Sequence, residues 1–323
     1  MNALGYLTRP TPAAAMAVCA FLALVPPLFG QGDLFGFCMT MMFFIVLAYS
    51  LNMVVGFIGY LDFGHVVFLG LGAYSAGGLL SLFSKGHVSY NPYIWIILSG
   101  LIPAAFAVVV GYPALRIRGA YFAIATYSLN LAVQTIFFNW ETFGGAEGLP
   151  LNPYLKYVKG REIWGYYIYL MSLVAAFWVS YIVLKKKLGF GFRAILNDED
   201  AAASMGINTT AYKITAYAMG AFFAGIIGGT YGIFQNFVDP DNFRIGVSIE
   251  LFVIMMVGGA GTALGPLLGG IVFYAIRDLL IVKFSHLHLI IFGAVMIVIV
   301  LFIPGGLVGA IRDFWPKSRR YLE

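Results

Sequence analysis

Charge is what this sequence has least of. Asp, Glu, Lys and Arg make up 10% of the 323 residues, against about 25% in soluble domains. With 61% hydrophobic residues and a mean hydropathy of +0.89, the chain has too little polar surface to coat a soluble core. It reads as an integral membrane protein. Cysteine is nearly absent too. Cys19 and Cys38 both lie in apolar runs, where they read as small buried hydrophobes rather than a disulfide or metal site. The histidines, His65, His87, His286 and His288, have no metal or paired-haem spacing. No Gly-rich loop ends in Lys-Ser or Lys-Thr, which excludes a phosphate-binding loop and ATP hydrolysis by this chain itself. No local Ser/His/Asp arrangement marks a hydrolase. The net charge of +5 reads as membrane topology and not as nucleic-acid binding.

What the sequence has in abundance is apolar runs. A span needs roughly 20 such residues. Ten runs qualify as candidates: Thr11–Phe29, Phe35–Phe57, Val66–Phe83, Tyr93–Tyr112, Ala120–Trp140, Tyr166–Leu184, Ala211–Phe234, Ser248–Leu264, Pro266–Val282 and Leu287–Ile303. The first is followed closely by the second, so it reads as a span and not as a cleaved leader. The expected fold is all-α: one polytopic transmembrane domain over 1–323 with about ten helices and a charged loop at 185–210. Ten spans put both termini on one side. That side collects Arg9, Arg116, Arg118, Lys185, Lys186, Lys187, Arg193, Lys213, Arg312, Lys317, Arg319 and Arg320. The other side has only Lys85, Lys156, Lys159, Arg161, Arg244 and Lys283, and Arg277 falls within a span. The positive-inside rule then places both termini in the cytoplasm and the loop from Glu141 to Trp164 outside.

Two stretches do not read as plain spans. One runs from Gly56 through Gly59, Asp62, Gly64 and His65 to Gly72; the other runs from Gly258 through Gly261 to Gly270. Irregular backbone at membrane depth is tolerated only where protein or a water-filled path covers it. Paired Gly-rich breaks suit a transport path between two halves, and they equally suit close helix packing. Ionisable and polar groups in apolar runs are the other candidates. Asp62 and His65 are three residues apart and could support a break or act in gating. Glu250 reads as a first-turn acid, and Arg277 with Asp278 as a local pair. Asn52, Asn130 and Gln134 suit either interhelical hydrogen bonds or a hydrophilic lining.

The most distinctive stretch is a polar island, Phe192 to Asn208, in an otherwise apolar chain. Asp198, Glu199 and Asp200 suit a helix N-terminus, Ala201 and Ala202 sustain the helix, and Gly206 suits its C-terminal cap. A short helix over Asp198 to Gly206, with small residues on its surface, is a docking element for a cytoplasmic partner.

Five stretches in order resemble a known family. They are Leu51 to His65 with Gly70 to Tyr74, Leu115 to Thr126, Gly144-Gly145 with Gly148-Leu149, Gly191 to Asn208, and Val257 to Pro266. Together they resemble the M-type permeases of the Liv-type ABC importers for branched-chain amino acids. The acid-Ala-Ala-x3-Gly pattern beginning at Asp200 is similar to the coupling helix of importers, although Glu is more usual at its first position; Glu199 stands one residue earlier. The resemblance implies a non-catalytic subunit with a fold similar to ribose and cobalamin importer permeases, in a bacterial inner membrane. It implies a second, H-type permease, two cytoplasmic ATPases holding ATP and Mg, and a periplasmic or lipid-anchored solute-binding protein as partners. No cofactor is expected in this chain. Coupling falls to Asp198, Glu199, Asp200, Ala201, Ala202 and Gly206. The translocation path falls to Asn52, Gly59, Asp62, His65, Thr126, Asn130 and Gly261. Branched-chain or other hydrophobic amino acids are the expected cargo; urea or short amides are the alternative within the family. Asp62, where urea-type relatives more often carry Ser, favours amino acids. A stand-alone ion-coupled transporter would explain the breaks and Asp62, but not the docking helix.

Overall fold

The computed structural model describes residues 10–30, 32–83, 93–151, 161–283, 293–294, 297 and 305–314. These residues are mostly helical. The helices are α1 (Pro10–Phe29), α2 (Asp33–Asn52), the single turn α3 (Val55–Ile58), α4 (Val66–Phe83), α5 (Tyr93–Ala114), α6 (Ala120–Asn139) and α7 (Arg161–Lys185). Then come the short α8 (Lys187–Asn197) and α9 (Glu199–Ser204), followed by α10 (Thr209–Gln235), α11 (Ile245–Gly258), α12 (Gly265–Lys283) and α13 (Gly306–Phe314). A two-residue ladder pairs β1 (Leu149–Pro150) antiparallel with β2 (Phe237–Val238). Five of the helices are long and apolar enough to cross a membrane among the described residues. The tenth candidate run, Leu287–Ile303, falls almost wholly outside the described residues, as do His286 and His288.

Helix α2 is the axis of the bundle. Every residue from Met41 to Asn52 is buried, because neighbours surround it on all sides: α1, α7, α10, α11 and α12 pack against it. An all-round apolar sequence such as FCMTMMFFIVLAYSL suits that place. Helix α10 packs most extensively, against α4 and α5. Its small face makes this possible. A Cβ at Gly228 would run into the Leu69 carbonyl of α4, and one at Gly225 into the Ser99 carbonyl of α5. Without hydrophobic drive between helices in lipid, close backbone approach of this kind is what holds spans together. By contrast α5 and α6 carry much exposed apolar surface, including Ile97, Val109, Ile124 and Ile136.

Two expectations take a more definite form here, and one needs correction. The run Phe35–Phe57 lies within one candidate span, Asp33–Ile58, in which α2 ends at Asn52 and the turn α3 follows. The run Ser248–Leu264 ends as helix at Gly258, because Gly259 and Gly261 adopt φ of +115° and +74° and reverse the chain. The charged stretch at 185–210, expected as a loop, is itself largely helical, with the amphipathic α8 ahead of α9.

Candidate functional site

Helix α9 is a six-residue helix with both ends capped. Asp198 accepts hydrogen bonds from the Asp200 and Ala201 amides, each at 2.9 Å, which satisfies donors that a helix start leaves open. At the other end Gly206 takes φ +87°, its amide bonds the Ala203 carbonyl, and the Ile207 amide bonds the Ala202 carbonyl. That pair of bonds is a Schellman motif. The helix is therefore Glu199–Ser204, with Asp198 as its N-cap, Met205 as its C-cap and Gly206 as the left-handed residue that follows.

The acids of α9 do not point away from the protein. The Lys213 ammonium, 3% exposed, lies 2.7 Å from Glu199 Oε1, 2.9 Å from the Tyr60 hydroxyl and 2.6 Å from the Leu115 carbonyl. Three N–H donors meet three acceptors, so the buried charge is fully satisfied. The Tyr60 hydroxyl in turn donates to Glu199 Oε2. Arg118 holds Asp200 with two bonds of 2.9 Å and lies 3.5 Å from Glu199. Burial pushes the Glu199 carboxyl up, but hydrogen bonds from Lys213 and Tyr60 and the charges of Lys213 and Arg118 outweigh it, leaving the group below the usual carboxylate range. The Arg118 hydrogen bonds and charge hold Asp200 low as well. Ala202 is 3% exposed and packs into the protein's own body, while Ala201, Ala203, Ser204 and Met205 are exposed. The exposed surface of α9 is thus centred on Met205 and its neighbours, and Ala202 is not part of it.

The two Gly-rich breaks lie at this same end and touch. Asn52 at the end of α2 reaches across, its Oδ1 accepting from the Gly261 amide at 2.8 Å and its Nδ2 donating to the Thr262 carbonyl at 3.2 Å. Tyr49 donates to the Ala263 carbonyl at 2.7 Å. The backbones come so close that a Cβ on Gly56 would stand 2.5 Å from the Gly261 nitrogen. Gly261 and Thr262 also border a cavity of about 410 Å³ shared with Lys185, Arg193 and Arg312.

Between α9 and α2 lies a fully buried polar relay. His65 Nδ1 is 2.9 Å from Asp62 Oδ2, and His65 Nε2 is 2.9 Å from Ser50 Oγ. Ser50 donates its own proton to the Leu47 carbonyl at 2.7 Å, so it accepts from Nε2–H. The Nδ1 to Oδ2 contact joins the imidazole to the carboxyl by a hydrogen bond. Asp62 Oδ1 is buried without a partner.

The remaining candidates scatter. Thr126 accepts from the Gly64 amide at 3.4 Å and so stands beside the relay. Asn130 donates to the Phe243 carbonyl at 2.9 Å and Gln134 to that of Pro240 at 3.0 Å, both toward the opposite end of the bundle. Gly59 caps α3 at φ +75° and faces Leu196 of α8. The structure thus unites Asn52 with Gly261 and Asp62 with His65, places Thr126 beside the latter pair, and leaves Asn130 and Gly59 apart from both. Arg277 faces Glu250 across two helices at 3.7 Å, so Glu250 is not a solvated first-turn acid and the sequence neighbour Asp278 is not the partner. Sequence reasoning missed Lys213, Tyr60, Arg118 and Ser50. Lys213 had a visible signal, a lone cation near the start of an apolar run; Tyr60 and Ser50 had none.

Residues 34–300 match the family described as branched-chain amino acid transport system / permease component. The chain belongs to this family. Within it, the chain is 27% identical over 329 residues to the high-affinity branched-chain amino acid transport system permease protein LivM of Salmonella typhimurium, covering 92% of this chain and 75% of that protein. It is 28% identical over 303 residues to LivM of Escherichia coli, covering 84% and 69%. It is also 24% identical over 144 residues to the permease protein LivH of Salmonella typhimurium, covering 44% and 46%. No solved structure matches the chain. As a member of this permease family the chain is a membrane-embedded transport subunit, and the relay and the docked helix are features of a permease.

Proposed function

We propose that this chain is one of two permease subunits of an ABC importer for branched-chain amino acids, driven by ATP hydrolysed on partner chains. The observation that carries the reading is α9: a capped, surface-presented helix whose acids are anchored to Lys213, Tyr60 and Arg118. The anchoring would transmit a push on α9 to the Tyr60 segment and from there to the relay on α2. The cargo follows from the names of its full-length relatives, and the second permease from the similarity to both LivM and LivH. In this reading the α9 end faces the cytoplasm, the membrane is the bacterial inner membrane, and the full complement of helices is about ten, arranged as in ribose and cobalamin importer permeases. A solute-binding protein would deliver the amino acid at the opposite end.

The test is uptake of radiolabelled leucine into proteoliposomes holding this chain with its second permease and ATPases, supplied with the binding protein. ATP-dependent leucine, isoleucine and valine uptake is expected from the assembly, and neither uptake nor ATP hydrolysis from this chain alone. Concentrative uptake by the lone chain on an ion gradient would overturn the reading.

A further inference from the structure

A second cavity, of about 520 Å³, lies at the opposite end of the bundle from α9, among α2, α7, α10, α11 and α12. Its size is within the roughly 300–1,000 Å³ of small-molecule sites. Its wall has two chemistries. Phe35, Phe43, Phe44, Tyr169, Tyr231 and Phe234 give it an aromatic side. Charged and amide groups of both polarities give it another: Arg277 and Asn242 as donors, Glu162 and Asp241 as acceptors.

Two of these groups are left with unused hydrogen-bonding capacity. The buried Asn242 Nδ2 has no partner, and an unsatisfied buried donor is uncommon enough to need a reason. Arg277 lies over the Phe44 ring at 5.2 Å and 3.7 Å from Glu250. That spacing is too long for a hydrogen bond, so the guanidinium keeps its N–H fork open on a carboxylate-binding geometry.

We infer that this cavity is a binding site for a zwitterionic amino acid with an apolar side chain, within the permease itself. The substrate carboxylate bonds Arg277 and Asn242, the ammonium faces Asp241 and Glu162, and the aliphatic side chain lies on the aromatic wall. Glu250 is then the group that holds Arg277 in place between substrates. A neutral or purely apolar ligand would leave Arg277 and Asn242 unmatched, a mismatch that sites built for hydrogen bonding reject strongly. The inference rests on the transport reading above and adds to it a site in the membrane subunit, separate from any selectivity residing in a binding protein.

The experiment is equilibrium binding of tritiated leucine to the purified full importer in lipid nanodiscs, without binding protein, with leucinol (no carboxylate) and isovalerate (no ammonium) as competitors. The wild-type importer is expected to bind leucine saturably and to bind each analogue at least tenfold more weakly. Arg277→Gln is expected to lose at least tenfold in leucine affinity and to lose the preference for leucine over leucinol. Asn242→Leu, which keeps the size but not the donor, is expected to lose affinity severalfold. A merely structural role for Arg277 would not abolish discrimination between leucine and leucinol. The cavity assignment is overturned if the wild-type particles show no saturable binding while still importing leucine once binding protein is added, or if both variants keep wild-type affinity and preference. Particles that import no branched-chain amino acid even with binding protein overturn the transport reading instead, and the site's amino-acid assignment falls with it.

Discussion

Lys213 concentrates more of the structure in one side chain than any other polar residue described. It joins α10 to the Tyr60 segment, to the end of α5 and to α9. Removing one partner of a buried ion pair strands the other charge, a loss of about 3 kcal/mol or more. Lys213→Met is therefore expected to lower the thermal midpoint of the purified permease clearly, and Lys213→Met with Glu199→Gln to recover part of it, because no carboxylate is then stranded. The pH dependence follows from the same cluster. Glu199 and Asp200 are held below their ordinary range when folded. Their contribution is thus fully present above the unfolded value, near 4, and is lost as pH falls through the lower folded values. The protection factors of the amides across residues 199–206, which remove the intrinsic pH dependence of exchange, are expected to hold steady from about pH 5 to 8 and to fall below about pH 4; a fall between pH 5 and 8 would contradict it.

At the scale of elements, α9 presents an exposed surface while the paired breaks are packed against each other. Met205 is 85% exposed and Ala202 3%. Met205→Asp is expected to weaken ATPase docking about tenfold, roughly 1.4 kcal/mol, with the permease still folded. Ala202→Trp is expected to unseat α9 and lower the yield of folded protein. Pull-down of ATPase by detergent-solubilised permease separates the two effects. At the breaks, Asn52→Leu strips two hydrogen bonds from Gly261 and Thr262, a loss of about 1–3 kcal/mol to be read as a lower thermal midpoint. Much of this was legible beforehand. The caps Asp198 and Gly206 follow from local backbone chemistry that a few adjacent residues determine. The breaks were visible as glycine clusters at 56–72 and 258–270. Their mutual contact was not, since Asn52 and Gly261 are brought together only by the packing of α11 and α12 on α2. The inward turn of Ala202 was hidden for the same reason: a six-residue helix carries no periodicity long enough to declare its buried face. Ser50 completes the His65 relay from fifteen residues away, on another element, and nothing near it in sequence marks it.

At the scale of the whole molecule, every charged contact of α9 falls at one end and the aromatic cavity at the other. The excess of Lys and Arg on the α9 side predicts that end to be cytoplasmic. On a background lacking Cys19 and Cys38, Ser204→Cys should react with an impermeant maleimide only in inside-out vesicles, and Glu147→Cys, in the exposed turn before β1, only in right-side-out cells. The reverse pattern would overturn the orientation.

The threefold satisfaction of Lys213 also has a consequence for how the protein is made. Its acceptors come from positions 60, 115 and 199, all earlier in the chain. When residue 213 leaves the ribosome, the segments bearing Tyr60, Leu115 and Glu199 have already been synthesised, and the ammonium stays hydrated at the membrane surface until they gather round it. Closure of that cluster therefore cannot precede synthesis of residue 213, and it requires the segments bearing Tyr60, Leu115 and Glu199 to be in place together. A misinserted segment among these three would leave the Lys213 ammonium short of an acceptor, a stranded charge that the finished fold does not tolerate.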